Sequence, residues 1–300
     1  MSDKLLSVNN TASEILNGKS INAPAIKEEK LSVGEIFESV KNRSLKSYFL
    51  TGEGLKNTVK VFGQSEDEIE KEYKNYKAQK VFNKMEYLLI DNSLSTKNFI
   101  DECEIAVKYQ FSSVTVLPSF IKIAKSSVKN SVLVDALISY PYGEDSFIVK
   151  RKSVKDALKN GADKISYVLS VKQIKNGEYK ALETEIKKIG KICGKKPLSI
   201  VIDTSKLSPT EIVNCVLMAR NLPKLEKLVC YSVALNELPD VSTVKEIIKT
   251  VDGKLTIAVG GSISTAEEVV SVLSLGAGVV ISKNCPYIVK DALKKLDANN

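Results

Sequence analysis

The sequence has 300 residues, is 43% hydrophobic, carries a formal net charge of +8 and contains no histidine. Its length fits one large α/β domain with an extension, or two small domains. The missing histidine excludes Ser–His and Cys–His catalysis, imidazole metal ligation and proton shuttling by imidazole.

Residues 1–80 show no regular strand–helix alternation. TASEILNG is a short amphipathic piece with Thr11 as its cap, and INAPAIKEEK reads as linker. LSVGEIFESVKN places apolar residues at 31, 33, 36, 37 and 40, near the helical period. SEDEIEKEYKNYKAQKVF opens with Ser65 and two acids, a good helix start. The expected first domain is therefore a mainly helical, partly flexible extension over 1–80, and a protein partner is expected to bind there.

From about residue 85 short apolar runs alternate with amphipathic stretches. The runs are MEYLLID (85–91), SVTVL (113–117), SVLVDALI (131–138), KISYVLS (164–170), LSIVID (198–203), EKLVCYS (226–232), LTIAVGG (255–261) and GVVIS (278–282). A helix follows each. Gly161 and Gly194 stand just past helix ends, where terminal glycines sit. Ser208-Pro209 and Ser264-Thr265 stand at helix starts, with Glu211 and Glu267 three positions after Ser208 and Ser264. Eight such units predict an α/β fold, a (β/α)8 TIM barrel over 81–300. A doubly wound open sheet is the alternative, but IDNSLS after the first run lacks its glycine-rich turn.

The remaining composition narrows the partners. The five cysteines, at 103, 193, 215, 230 and 285, form no CxxC pair, so neither a disulfide framework nor a zinc site is expected. Free thiols fit a cytoplasmic location. MSDKLLSVNN lacks the basic start and apolar core of a secretory signal, and no run of about 18 apolar residues suggests a membrane helix. The positive charge is nearly all lysine, with three arginines, and is spread among glutamates on helix faces. That is a solvated surface rather than a nucleic-acid footprint. No cofactor or metal is expected.

In a TIM barrel the site lies at the C-terminal strand ends. There the sequence resembles the deoxyribose-phosphate aldolases. YLLIDNSLSTKNFIDECEIAVKYQFSSVTVLPSFI resembles their opening segment, with its D-H-T-L turn and V-x-V-x-P strand end. ALISYPYGEDSFIVKRKSVKDALKNGADKISYVLS is similar to their F-P-x-G loop and G-A-D-E-[IV]-D strand. LSIVIDTSKLSPTEIV and AVGGSISTAEEVVSVLSLGA resemble the V-I-[IVL]-E-T and A-G-G-[IV]-R-T segments. The likeness runs in order from about 83 to 290, which is more specific than any one motif.

The resemblance implies a class I aldolase, which makes or breaks deoxyribose 5-phosphate through a lysine imine. Such a lysine must be neutral to attack a carbonyl, and a second lysine and a carboxylate manage charge and protons. Position by position, the likeness puts Cys230 where the imine lysine stands in [FY]-[IV]-K-T-S, with Tyr231-Ser232 for Thr-Ser. It puts Ile257 at the second lysine and Ser166 at the proton-relay aspartate. All three catalytic positions are changed.

Candidates for holding a phosphorylated ligand are Gly260, Gly261, Ser232, Ser282, Lys283 and Asp91. Lys164 shares the side of Ser166 but lies deeper, where charge is costly unless paired. Lys227 points opposite to Cys230, which leaves Lys283 at the rim as the nearest substitute amine. The expected function is a catalytically degenerate aldolase homologue acting as a structural, scaffolding or ligand-sensing protein. The alternative is an aldolase active on a phosphorylated sugar through a displaced lysine. Members of this family often self-associate, so the resemblance also implies a homo-oligomer.

Overall fold

The computed structural model describes residues 81–231 and 241–298. The helical extension expected over 1–80 lies outside the described residues, as do residues 232–240, among them Ser232.

Eight parallel strands close into a barrel in sequence order. They are β1 (Met85–Leu88), β2 (Ser113–Val116), β3 (Leu133–Ile138), β4 (Lys164–Val168), β5 (Leu198–Asp203), β6 (Leu225–Tyr231), β7 (Thr256–Gly260) and β8 (Val279–Ser282). The last strand returns to the first, with Glu86 opposite Ile281. Helices follow the strands: α1 (Thr96–Lys108), α2 (Ile121–Val128), α3 (Phe147–Lys159), α4 (Val171–Lys175), α5 (Tyr179–Cys193), α6 (Pro209–Arg220), α7 (Val241–Val251), α8 (Ala266–Ser274) and α9 (Cys285–Ala298). Each of the eight apolar runs became a strand; β5 matches its run, β6 is displaced one residue toward the N-terminus, and the others are shorter by one to three residues. The short α4 is an addition that the sequence pattern did not suggest.

The strands form because β-branched residues crowd them, and because helices and lumen bury both of their faces. Alternation then sends successive side chains outward and inward. Tyr87 and Tyr167 point outward, where their hydroxyls donate to Glu102 on α1 (2.8 Å) and Glu185 on α5 (2.6 Å). Their neighbours 86 and 88 on β1, and 164, 166 and 168 on β4, therefore face the lumen.

The helix signals hold with one shift. Ser208 accepts from Glu211 N while Glu211 folds back on Ser208 N, a complete capping box at α6. At α8 the cap is Thr265 with Glu268, one residue later than Ser264 with Glu267. Gly194 caps α5 at φ 62°, and Gly161 follows α3 at φ 98°.

The β3–α3 loop crosses the end of β4. Gly143 has φ 71°, and a Cβ there would stand 2.4 Å from the Leu169 carbonyl, so only glycine allows the approach. This crossing brings Tyr140 against the top of the lumen.

A lumen with its polarity inverted

One inward residue from nearly every strand forms an aliphatic layer at the C-terminal half of the lumen. Its members are Leu88, Leu137, Val168, Val201, Val229, Ala258 and Ile281, with Ile90 and Tyr140 packed on it. A small recess of about 10 Å³ lies among these side chains, bordered also by Thr115, Ser166 and Gly260.

Most polar lumen residues are lower in the barrel, the exception being Asp203, buried at the C-terminal end of β5 in phase with Val201. Glu86 is 1% exposed and accepts from Lys164 Nζ at 2.8 Å and from Lys227 Nζ through both carboxylate oxygens. Burial by itself would raise the Glu86 carboxyl, but Lys227 and Lys164 together bring it down to about 2. Burial likewise works against the Lys164 cation, yet Glu86 and Asp135 more than compensate and its pKa is raised. Asp135 on β3 is also fully buried and accepts from Ser166 Oγ at 2.7 Å. Burial raises its pKa, and the two lysines only partly oppose that.

The register of β6 and β7 decides which way Cys230 and Ile257 face. Val229 and Ala258 belong to the lumen layer. Cys230 and Ile257 each stand one residue away, on the side facing the helices. Cys230 is fully buried close to Cys215 of α6, and burial pushes its thiol well above the ordinary range. Cys230 and Ile257, which the resemblance matched to the two lysine positions, thus face the helices, and the inward positions beside them are Val229 and Ala258. Ser166 does face the lumen, and the carboxylate missing there reappears one strand away as Asp135, bonded to it. Lys164 is deep and paired, as its position implied. Lys227, opposite Cys230, thereby points inward.

Gly260 pairs with Ile281, so Gly260, Gly261, Ser282 and Lys283 lie at the adjoining ends of β7 and β8, while Asp91 lies beyond β1. Gly260 borders the small recess. Gly261 is buried in the turn after β7. Ser282 is buried, donates to Ile263 O at 2.6 Å and accepts from Asn284 N. Lys283 is exposed beyond β8. Asp91 is exposed and accepts from Ser93 N at 2.9 Å and Ser93 Oγ at 2.6 Å, an Asx turn. At the start of α8, Glu268 accepts from Ser264 N (2.7 Å) and Thr265 N (3.1 Å), and Asp291 accepts from Ala266 N (3.1 Å). The amides an anion would use there are held by the chain's own carboxylates.

Glu86 and Asp135 were not singled out by sequence reasoning. A signal existed: within the apolar runs the polar residues Glu86, Thr115, Asp135, Lys164, Ser166, Ser199 and Lys227 all mark inward positions, since the outward face meets apolar helices.

Among the described residues no helix is long and apolar enough to cross a membrane, and no cluster of three metal-ligating side chains occurs. The fold and its single lumen define a TIM-barrel protein whose strand-end site is the place for chemistry.

Comparison identifies the branch. Over 195 residues the chain is 32% identical to the deoxyribose-phosphate aldolase of Metamycoplasma hominis, covering 64% of this chain and 88% of that one. Over 215 residues it is 31% identical to the enzyme of Metamycoplasma arthritidis, covering 69% and 98%. The chain belongs to the deoxyribose-phosphate aldolase family. Among solved structures, an aldolase named QR15 aligns with a TM-score of 0.69 at 20% identity over 73% of this chain and 99% of that one. The deoxyribose phosphate aldolase of Aeropyrum pernix, described as tetrameric, aligns at 0.65 with 14% identity over 73% and 93%. These structural likenesses bear on the fold alone. No family model matches the chain.

Proposed function

We propose that this chain is a catalytically silent member of its family, serving as a structural, scaffolding or ligand-sensing protein. The observation that carries the reading is the inverted lumen. Apart from Asp203 at the end of β5, aliphatic side chains fill the described strand-end half, and both lumen lysines are bound to Glu86 below them. An imine requires a neutral amine within reach of a carbonyl. Lys164 is held as the cation.

Two lysines and two carboxylates in one lumen do invite the second reading, an aldolase with a displaced lysine. Their ion pairing and the aliphatic cover weigh against it, which leaves the exposed Lys283 as its candidate. Sensing of a phosphorylated ligand would have to use Gly260, Gly261 and Lys283, since the α8 amides are taken. Self-association is proposed from the tetrameric Aeropyrum relative, and a protein partner from residues 1–80.

The test is incubation of the full chain with deoxyribose 5-phosphate and sodium borohydride, followed by intact mass. No stable adduct is expected. A borohydride-dependent adduct that disappears in Lys283→Ala would establish the second reading instead.

A further inference from the structure

We propose that the outer face of α3 is a docking surface for an acidic protein segment, held by a row of exposed cations with an apolar anchor at one end.

Charge on the barrel wall is uneven. α3 carries five cations and one carboxylate, and α5, packed beside it, carries four and two. α8 follows β7, four strands round the barrel from β3, and carries two carboxylates and no cation. The expectation of cations spread among glutamates therefore fails along α3. Arg151, Lys152, Lys155 and Lys159 are all exposed and follow Ile148 at helical spacing, so the five share one face. At 1.5 Å per residue the row is about 17 Å long. Among the described residues no carboxylate pairs with any of the four cations. The acids of the two helices are engaged elsewhere: Glu185 holds the buried Lys150, Glu183 holds Lys187, and Asp156 accepts from Asn160 Nδ2. Arg151 and Lys155, like Lys155 and Lys159, are equal charges four residues apart, which destabilises a helix. A partner bearing carboxylates relieves that repulsion.

The anchor selects protein among polyanions. Ile148 is 75% exposed, and Val149 and, in the preceding loop, Tyr142 are exposed too. A phosphate backbone offers nothing to an apolar side chain, whereas a protein interface combines apolar anchors with a charged rim. Glu144 and Asp145 stand exposed between Tyr142 and Ile148 in the chain, accepting from Ser170 Oγ and Ser139 Oγ. Lipid headgroups or nucleic-acid phosphates would meet like charge there. The row also holds a single arginine and no aromatic ring on which a base could stack. A protein segment can match each part, with carboxylates along the cations and an apolar side chain at Ile148. This surface belongs to the barrel, so the inference is independent of the partner proposed for residues 1–80.

The probe is a fluorescein-labelled helical peptide of glutamate, alanine and leucine, about 20 residues long, titrated with the full chain at about 50 mM salt and read by anisotropy. Binding is expected, and the reversal Arg151→Glu, Lys155→Glu, Lys159→Glu is expected to weaken it at least about tenfold. Reversal of three exposed lysines on α7 and just beyond it, Lys245→Glu, Lys249→Glu, Lys254→Glu, changes the net charge equally and is expected to alter affinity less than about twofold. Equal losses in the two variants, or no binding by the parent, would overturn the site. If the α3 reversal does not fold, Arg151→Gln, Lys155→Gln, Lys159→Gln replaces it with the same direction expected. Tighter binding of random duplex DNA, or of vesicles with equal parts of phosphatidylcholine and phosphatidylserine, would overturn the choice of partner. A drop in the protein's own sedimentation mass on α3 reversal would overturn it too, by assigning the face to a second copy.

Discussion

Glu86 is the residue on which the interior turns. It is a buried carboxylate serving two buried ammonium groups, and Asp135 supplies the fourth ionisable group nearby. Removing one partner from such a set strands the others in a low-dielectric interior, typically at a cost of about 3–5 kcal/mol. Glu86→Gln keeps the shape and deletes the charge, so it is expected to destabilise the protein by about that amount in urea unfolding. Replacing the ion-paired trio with apolar residues of similar volume, Glu86→Leu with Lys164→Met and Lys227→Met, while Asp135→Asn removes the remaining charge, is expected to be neutral or stabilising. A Glu86→Gln cost under about 1 kcal/mol would mean that water already screens the cluster. Cys230 carries no comparable weight for chemistry: burial raises its thiol pKa, which opposes nucleophilic character.

At the scale of elements, boundaries were legible and phase was not. Every apolar run gave a strand because turn residues and amphipathic helices bracket it. Within β6 and β7, however, Leu228, Val229, Cys230 and Ile257, Ala258, Val259 are all buried, since both faces of a barrel strand are covered. Alternation then disappears from the sequence, and a one-residue slip exchanges the lumen for the helix layer. Lys227 was the phase marker, because a charge on the outward face would have met apolar helices. The start of α8 shows a similar local ambiguity, with adjacent Ser264 and Thr265 followed by adjacent Glu267 and Glu268. Geometry selects Thr265 and Glu268, and the same Glu268 carboxylate closes the amides to external anions. Glu268→Ala is expected to cost about 0.5–2 kcal/mol through the lost capping box, read as a lower urea midpoint at unchanged slope. A stability equal to that of the parent would show that Asp291 alone suffices to hold the helix start.

For the whole molecule, the inverted lumen ties stability to acidity. Glu86 ionises at about 2 in the fold against an ordinary 4.5, so the folded state binds this proton less readily than the unfolded chain. Its contribution is therefore complete above 4.5 and is lost as pH falls from there toward 2. At about 1.4 kcal/mol for each unit of displacement, the loss comes to about 3 kcal/mol. Asp135 acts in the opposite sense. Its raised pKa means the fold takes up that proton first, which relieves its burial cost and softens the acid limb. Parent and Glu86→Gln are therefore compared by urea unfolding across the acid range, because both retain Asp135 and their difference isolates Glu86. The parent's advantage should be full at neutral pH, shrink steadily below about 4.5 and nearly vanish near 2. A gap that stays constant through that range would mean that Glu86 is not held ionised by Lys164 and Lys227. The buried ion cluster would then no longer explain how Lys164 and Lys227 are accommodated in a closed interior.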